Sequence, residues 1–182
     1  MYEAITNMLD MTREESVALL TDARVGRLSM VGSDGRPYLI PVRFLWRDGT
    51  VYMRLAHYGR KAEALEKNPH VCFEADAYSQ DFSDYASVLV EGAVVDVTDP
   101  AEKEEALFRF HEKYGRLCGT GVPPRPVTIS GVALRKLVPV SLSGRKKEPD
   151  EVPGLGATSG PQTKAWRPQR RQAARKPKGL RT

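Results

Sequence analysis

Apolar side chains recur at every second position along much of the chain, which is the period of a β-strand. The segment 37–47 shows this most clearly, with large apolar residues at Tyr38, Ile40, Val42, Phe44 and Trp46. The intervening positions of this segment are largely apolar as well. A strand that is apolar on both faces is typical of the centre of a barrel or of a surface that a partner subunit covers.

The rest of the pattern predicts short strands that are joined by tight turns and interrupted by three helices. Strands are expected at 24–31, 50–56, 71–75 and 85–97, with a last pair over 127–142 around Gly131. Helices are expected over three segments: 12–22, 59–68 and 99–114. Thr12 and Glu15 have the spacing of a capping box at the start of the first helix. This order of elements favours a mostly β, antiparallel barrel with inserted helices over a wound parallel sheet.

The positive charge of the chain is concentrated in its last part. Residues 148–182 contain eight of the 28 Lys and Arg residues but only three of the 23 acidic ones, so residues 1–147 are neutral. This segment is rich in Pro and Gly and has no apolar period, so burial cannot offset the entropy of ordering it. We expect one domain over 1–147 and a disordered basic tail over 148–182. The tail is interpreted as solubilising, with contact to nucleic acid through counterion release as the alternative.

The overall composition limits the class of protein. With 182 residues, 41% of them apolar, and two cysteines, the chain suffices for one compact domain and is not a disulfide-dense scaffold. No apolar run approaches the roughly 20 residues of a membrane span, and the first ten residues lack a leader. We therefore expect a cytoplasmic protein without membrane contact. No metal site is expected, because His70, Cys72 and Cys118 lack the close, repeated spacing of zinc ligands.

The segment 51–69 carries the most informative chemistry. A predicted strand ends, a loop with Gly59 follows, and a helix begins with Arg60 and Lys61 in its first turn. Cations destabilise a helix N-terminus, where the helix dipole is already positive, unless an anion lies between them and the free amides. The pattern therefore indicates a phosphate site, to which Arg54 on the preceding strand adds a third cation. A solvated basic turn is the alternative explanation.

Three motifs, taken in order, resemble the flavin mononucleotide (FMN) binding split barrel of the pyridoxamine 5′-phosphate oxidase superfamily. Residues 35–42 are similar to its "G-x-P-Y-x-x-P-V" strand. Gly59, Arg60 and Lys61 precede a helix that ends at Asn68-Pro69, as in the step that holds the FMN phosphate in that family. Residues 87–92 are similar to its "S-V-x-x-x-G" strand. The resemblance covers roughly residues 12–147 and implies a six-stranded antiparallel split β-barrel.

The resemblance also implies a set of cofactor-binding residues. It assigns Arg54, Arg60 and Lys61 to the phosphate, Leu55 and Ser87 to the ribityl chain or ring, and Pro41, Val42 and Arg43 to the isoalloxazine edge. His57 lies in the same loop and is a candidate proton donor to substrate or flavin, with a solvent-exposed histidine as the alternative.

The activity and the assembly follow from the same resemblance. The protein is expected to be an FMN-dependent oxidoreductase that acts on an unidentified small molecule by hydride or electron transfer through the flavin. Related barrels are generally homodimers with the cofactor at the subunit interface. The nearest branch is the nitroimidazole-resistance type, although Arg54 replaces its His, which favours phosphate binding over proton donation. A deazaflavin-dependent reductase, a haem-binding relative and a non-catalytic flavin sensor remain alternatives.

Overall fold

The computed structural model of the protein describes residues 8–79, 83–122 and 125–147. These residues form β1 (Met8–Asp10), α1 (Arg13–Asp22), β2 (Gly26–Val31), β3 (Pro37–Val42), β4 (Phe44–Arg47), β5 (Thr50–Met53), α2 (Arg60–Lys67), β6 (His70–Tyr78), β7 (Tyr85–Asp96), α3 (Pro100–Cys118) and β8 (Arg135–Lys147). None of the helices in this part of the chain has the length and hydropathy to cross a bilayer. The predicted tail, 148–182, lies outside the described residues, so its disorder and its boundary stay predictions.

The strands form one antiparallel sheet that curls on itself. Its neighbours follow the order β3-β2-β6-β7-β8-β5-β4, and β1 pairs with the end of β8. β3 and β4 lie at opposite ends of this order, yet Arg43 alone separates them along the chain. The sheet must therefore curl until its two ends meet at Arg43. The predicted mostly β, antiparallel split barrel with inserted helices is confirmed.

The described part of the chain has eight strands, compared with six in the barrel that the resemblance implies, and they differ from the predicted set at three places. The expected strand 37–47 is divided at Arg43, because the Phe44 N–H donates to the Tyr114 hydroxyl (2.8 Å) rather than to a neighbouring strand. The pair expected over 127–142 is wrong: one strand starts at Arg135, and the chain before it turns at Gly131 and packs under α3. The three-residue strand β1 had no signal in the pattern.

The interior of the barrel is one apolar core. Its fully buried side chains come from six strands and include Leu28, Phe44, Val51, Phe73, Val88 and Leu137. Each side chain of this size stabilises the fold by roughly 1.5–3 kcal/mol. α1 packs Leu19 and Leu20 against the same core. Its predicted capping box is confirmed: Thr12 Oγ1 accepts from the Glu15 N–H (3.2 Å), and Glu15 Oε2 accepts from the Thr12 N–H (2.9 Å).

A second apolar cluster lies outside the barrel, between α3 and the strands β4 and β5. Leu45 and Tyr52 belong to this cluster with Leu107 and Phe110 of α3. Both faces of β4 are therefore covered by the chain itself, by the barrel core on one side and by α3 on the other. The outer face of β3 is not covered in this way, and Leu39 is 56% exposed.

Candidate functional site

A cleft of about 750 Å³ opens where β3, the loop between β5 and α2, and α3 converge. Its apolar lining includes Ile40, Pro41, Val42, Leu55, Phe110 and Val132. Its polar lining consists of Arg43, Arg54, His57, Tyr58 and Lys61. No acidic side chain of the described residues lines it, so the cleft is positively charged. Its volume lies within the range of small-molecule and cofactor sites.

Most of the predicted cofactor-binding residues meet in this cleft. They are Pro41, Val42, Arg43, Arg54, Leu55 and Lys61, and the candidate proton donor His57 joins them. They come from the break between β3 and β4, the end of β5, and the first turn of α2. The curl of the sheet brings these segments together. The roles of these residues in cofactor binding stay predictions.

The backbone at the start of α2 makes the cleft more positive. Gly59 precedes the helix with φ 79° and ψ 179°, a conformation that essentially only glycine adopts. Its carbonyl accepts from the N–H groups of Ala62 (2.8 Å) and Glu63 (3.2 Å). The N–H groups of Arg60 and Lys61 have no acceptor within the described ranges. These free amides and the helix dipole add positive potential beside the Lys61 ammonium group.

Arg60 lies apart from the cleft. Its guanidinium carbon is 4.3 Å from the centroid of the Tyr38 ring, and its Nη2 is 4.0 Å from Asp34 Oδ2. Consecutive helix residues point about 100° apart, so Lys61 lines the cleft while Arg60 turns towards the β2–β3 hairpin. The phosphate role that the resemblance implies for Arg60 stays a prediction, and the geometry favours Lys61 for that role.

Ser87 also lies apart from the cleft, on the outer face of the barrel. It is on β7 opposite Asp76 of β6. Together with Arg27, Tyr78 and Tyr85 it lines a different depression of about 420 Å³. Within one chain, Ser87 is therefore not brought to the other predicted cofactor-binding residues.

His57 is held by a pair that the sequence did not indicate. Its Nδ1 is 3.0 Å from Nη2 of Arg135, and Arg135 Nε donates to Asp96 Oδ1 (2.9 Å). A guanidinium is always a donor, so Nδ1 is the acceptor and the neutral ring carries its hydrogen on Nε2. Asp96 and Arg135 lie opposite each other on β7 and β8. This contact follows from the register of the two strands, and no local pattern in the sequence predicts it.

A polar network anchors α3, which forms one wall of the cleft, to the barrel. The Tyr52 hydroxyl donates to Glu102 Oε1 (2.7 Å), and Lys136 Nζ donates to both Glu102 oxygens (2.7 and 2.9 Å). The Lys136 hydrogen bond holds the pKa of Glu102 below its usual value. Burial, followed by the hydrogen bond to Glu102, raises the pKa of Tyr52. The network ties α3 to β5 and β8 and so fixes the position of Phe110, which sequence reasoning did not single out.

The described residues contain no group of three His, Cys, Asp or Glu side chains placed to hold a metal ion. His70 and Cys72 lie two residues apart on β6. Burial, followed by the charges of Glu91 and Glu74, raises the pKa of the Cys72 thiol. The thiolate is the form that ligates metals and attacks electrophiles. Cys72 is therefore suited to packing rather than to either role.

A family model described as pyridoxamine 5′-phosphate oxidase matches residues 12–146. The chain belongs to this family. The match runs from the start of α1 into β8 and therefore includes every segment of the cleft. The pyridoxamine 5′-phosphate oxidase resemblance that the three sequence motifs carry is confirmed.

Solved structures share the fold at low sequence identity. A protein from Bacteroides thetaiotaomicron VPI-5482 that is named for 5-nitroimidazole antibiotic resistance has a TM-score of 0.64 at 20% identity, covering 76% of this chain and 87% of its own. An FAD-binding protein from Mesorhizobium loti has a TM-score of 0.60 at 24% identity, covering 78% and 99%. An FAD- and haem-binding protein from Mycobacterium smegmatis has a TM-score of 0.61 at 17% identity, covering 80% and 77%. Comparison with curated proteins gave no match.

Proposed function

We propose that the cleft binds FMN and that the protein is a flavin-dependent oxidoreductase acting on a small molecule. The observation that carries this proposal is the charge pattern of the cleft. Its lining is apolar at Pro41, Val42 and Leu55, and it is positive at Lys61 and the first turn of α2. FMN has the complementary pattern, with a flat apolar ring at one end and a phosphate dianion at the other. Family membership and the FAD-binding names of two structural neighbours support the flavin part of the proposal.

Each part of the cleft has a role in holding the cofactor. Lys61 and the free amides of α2 bind the phosphate, because a helix N-terminus with an added cation is a ready anion site. Arg54 lines the same cleft and adds a second side-chain charge. Leu55, only 2% exposed, offers apolar surface to the ring or ribityl chain. A bound flavin supplies hydride or electron transfer, while the protein supplies position, charge and exclusion of water.

His57 is proposed to hold a proton at the edge of the cleft. Arg135 occupies its Nδ1, which fixes the ring orientation and leaves Nε2 as the position that carries the proton. Because His57 lines the cleft, Nε2 is available to a substrate that enters it. Arg135 acts here as a positioning residue.

A homodimer is proposed on the basis of the outer face of β7 and β8. Ser87, Leu89 and Val138 share this face by strand alternation and register. Leu89 is 42% exposed and Val138 is 45% exposed, so this face carries exposed apolar surface, and Ser87 lies two residues from Leu89 on the same strand. Pairing of two such faces covers this surface and brings Ser87 to the cofactor of the partner subunit, which reconciles its location with its implied role.

The decisive experiment compares flavin binding by the purified protein and by two lysine variants. Visible absorbance reports a flavin that copurifies, and quenching of flavin fluorescence gives dissociation constants for FMN and riboflavin. Lys61→Ala is expected to weaken FMN by about tenfold or more, since charge-assisted phosphate contacts contribute about 1.5–3 kcal/mol, and to leave riboflavin nearly unchanged. Lys67→Ala, at the other end of α2, removes the same charge away from the cleft and is the matched control.

Equal losses for FMN and riboflavin in Lys61→Ala would contradict the phosphate role. Arg60→Ala is expected to weaken FMN less than Lys61→Ala does, because its side chain contacts Tyr38 instead of the cleft. FAD, a deazaflavin and haem are titrated in the same way. If one of them binds more tightly than FMN, that compound and not FMN is the cofactor.

The dimer has its own test in analytical ultracentrifugation. Leu89→Asp is expected to convert the dimer to a monomer and to weaken FMN binding, because it places a charge in the proposed interface. Leu117→Asp is the matched control, since Leu117 on α3 is also 42% exposed and lies outside that face. A monomeric wild-type protein, or a Leu89→Asp protein that remains a dimer, would overturn the proposed interface.

A further inference from the structure

A second cleft of about 660 Å³ adjoins the first. The two clefts share three residues: Arg43, Arg54 and Phe110. Beyond these, the second cleft is lined by the end of α3 and the turn after it, including His111, Tyr114, Cys118, Thr120 and Val122. The proposed FMN site uses none of the residues in this second group. Lys61, in contrast, lines the first cleft only.

The outer wall of the second cleft is held by close backbone packing. After α3 ends at Cys118, the chain turns back over the last helical turn, and the Thr120 N–H donates to the Gly115 carbonyl (3.1 Å). A Cβ atom on Gly115 would collide with the carbonyl oxygen of Gly121. Only glycine at position 115 lets the turn sit this close to the helix. The wall is therefore a defined part of the fold.

Tyr114 fixes the position of Arg43 at the junction of the two clefts. Its hydroxyl accepts from the Phe44 N–H (2.8 Å) and donates to the carbonyl of Arg24 (2.8 Å) or of Phe44 (2.9 Å). These contacts hold the strand break next to Arg43. The guanidinium carbon of Arg43 lies 5.5 Å from the centroid of the Tyr114 ring.

Arg43 and Arg54 meet at the junction without an acidic partner. These two arginines flank Phe44 and Met53, the last pair of the β4–β5 hairpin, and both line the two clefts. At the other end of the same hairpin Arg47 is neutralised by Asp48 (2.9 Å). Within the described ranges, no carboxylate forms an ion pair with Arg43 or Arg54.

His111 also lines the second cleft, but through atoms other than its Nδ1. Its Nδ1 is buried and has no hydrogen-bond partner among the described residues. Buried polar atoms are nearly always paired, with protein, water or ligand. The groups that face the second cleft are therefore two guanidinium groups without an acidic partner and the apolar surfaces of Phe110 and Val122.

We propose that the second cleft is the substrate site and that it takes a small organic acid. Arg43 binds the carboxylate, since a guanidinium group matches a carboxylate in a bidentate geometry, and Arg54 adds positive potential to both clefts. The apolar body of the acid lies against Phe110 and Val122. The substrate role rests on the proposed function, because Phe110 and both arginines also border the flavin cleft; carboxylate binding itself does not depend on a flavin.

Cys118 provides a reporter that requires neither activity nor flavin. It is an exposed free thiol in the second cleft, whereas Cys72 is a partly buried thiol on β6. The full chain is treated with iodoacetamide in the presence of benzoate or benzamide, and the modification of each cysteine is followed by peptide mass spectrometry. Benzoate is expected to slow the alkylation of Cys118, while benzamide, its uncharged analogue, does not. Cys72 is the internal control.

Arginine variants identify the groups that bind benzoate. Arg43→Met is expected to raise the benzoate concentration needed for protection about ten- to hundredfold, the range for loss of a charge-assisted contact. Arg43→Lys retains the charge but loses the bidentate geometry, and we expect it to lose most of the protection. Arg36→Met removes the same charge from the β2–β3 hairpin, outside both clefts, and is expected to behave as wild type. Circular dichroism checks that each variant is folded.

Titration of the same proteins with FMN and FAD separates the possible results. Benzoate protection that falls by a larger factor than FMN affinity in Arg43→Met supports the proposal, because the proposed phosphate contacts come from Lys61 and the first turn of α2. Equal protection by benzoate and benzamide, or unchanged protection in Arg43→Met, overturns the carboxylate site. Loss of FAD affinity in Arg43→Met with benzoate protection intact assigns this cation to the dinucleotide and also overturns the proposal. If no flavin binds while benzoate still protects Cys118, the proposed function and the substrate role fail, but the anion site stands.

Discussion

β3 and β4 are two halves of one apolar segment, and the fold gives them different surroundings. In β4, Phe44, Leu45 and Trp46 are all at most 9% exposed. In β3, Leu39 is 56% exposed, and Pro41 is exposed at the edge of the cleft. The two halves have similar hydropathy, so the pattern cannot explain the difference. The position of α3 explains it, because the helix covers β4 and leaves the outer face of β3 uncovered.

Alanine substitutions in the two halves test this contrast directly. Phe44→Ala is expected to lower the free energy of unfolding by about 3–5 kcal/mol, the range for truncating a buried aromatic side chain. Leu39→Ala is expected to change it by no more than about 0.5 kcal/mol, as for most exposed positions. Urea denaturation of the apo protein, followed by circular dichroism, measures both. Similar losses for the two variants would show that β3 is covered in solution to the same extent as β4.

Lys113 tests how completely α3 excludes water from β4. Its Nζ is buried without a hydrogen-bond partner in the described residues, and it lies 4.3 Å from the centroid of the Phe44 ring. Burial lowers its pKa to about 8, partly offset by the charge of Asp22. Below pH 8 the folded protein therefore carries a desolvated ammonium group under α3. Lys113→Met is expected to raise the free energy of unfolding at pH 7 by about 1–3 kcal/mol.

The advantage of Lys113→Met depends on pH in a defined direction. Between pH 8 and about 10.4, the ordinary value for lysine, Lys113 is neutral in the folded wild-type protein but still protonated in the unfolded chain. The unfolded state then binds more protons, so the wild-type protein gains stability as the pH rises. The difference between variant and wild type is thus fully present below pH 8 and shrinks above it. Urea denaturation at pH 7, 8.5 and 10 measures this difference in the free energy of unfolding. A difference that does not change with pH would show that the Lys113 ammonium group is solvated in the folded protein.

Tyr114→Phe tests the break between β3 and β4, and its expected effect on the free energy of unfolding is smaller. The change removes the hydroxyl that accepts from the Phe44 N–H and leaves that buried donor unpaired. We expect a loss of about 1–2 kcal/mol in the free energy of unfolding. We also expect weaker benzoate protection of Cys118, because Arg43 loses its fixed backbone. Phe108→Leu is the control, because it changes another aromatic side chain of α3. Unchanged stability would mean that the break does not depend on Tyr114.

Local signals in the sequence predicted most of the elements. The capping box at Thr12 and Glu15 marked the start of α1 correctly, because both partners lie within one helical turn. The pair over 127–142 failed because Val127 and Leu134 are apolar for another reason, namely their packing under α3. The break at Arg43 was missed because its cause, the Tyr114 hydroxyl, lies 70 residues away in the sequence.

The candidate site was predicted through motifs rather than through contacts. Arg54, Leu55 and Lys61 lie in one continuous stretch, so their shared location in the cleft needed little beyond the end of a strand and the start of a helix. The orientation of Arg60 was not predictable, because it depends on the hairpin that carries Tyr38. The contact between His57 and Arg135 depends on strand register and had no local signal.

By itself, the amino-acid sequence determined the antiparallel class of the fold, the family and the cationic start of α2, because these follow from period, turn residues and charges close together along the chain. The tertiary structure alone decided which half of segment 37–47 became core and which cation entered the cleft. It also decided that Arg43 and Arg54 both line a second cleft. These outcomes depend on how the sheet closes and where α3 lies, and both are set by packing between residues far apart in sequence.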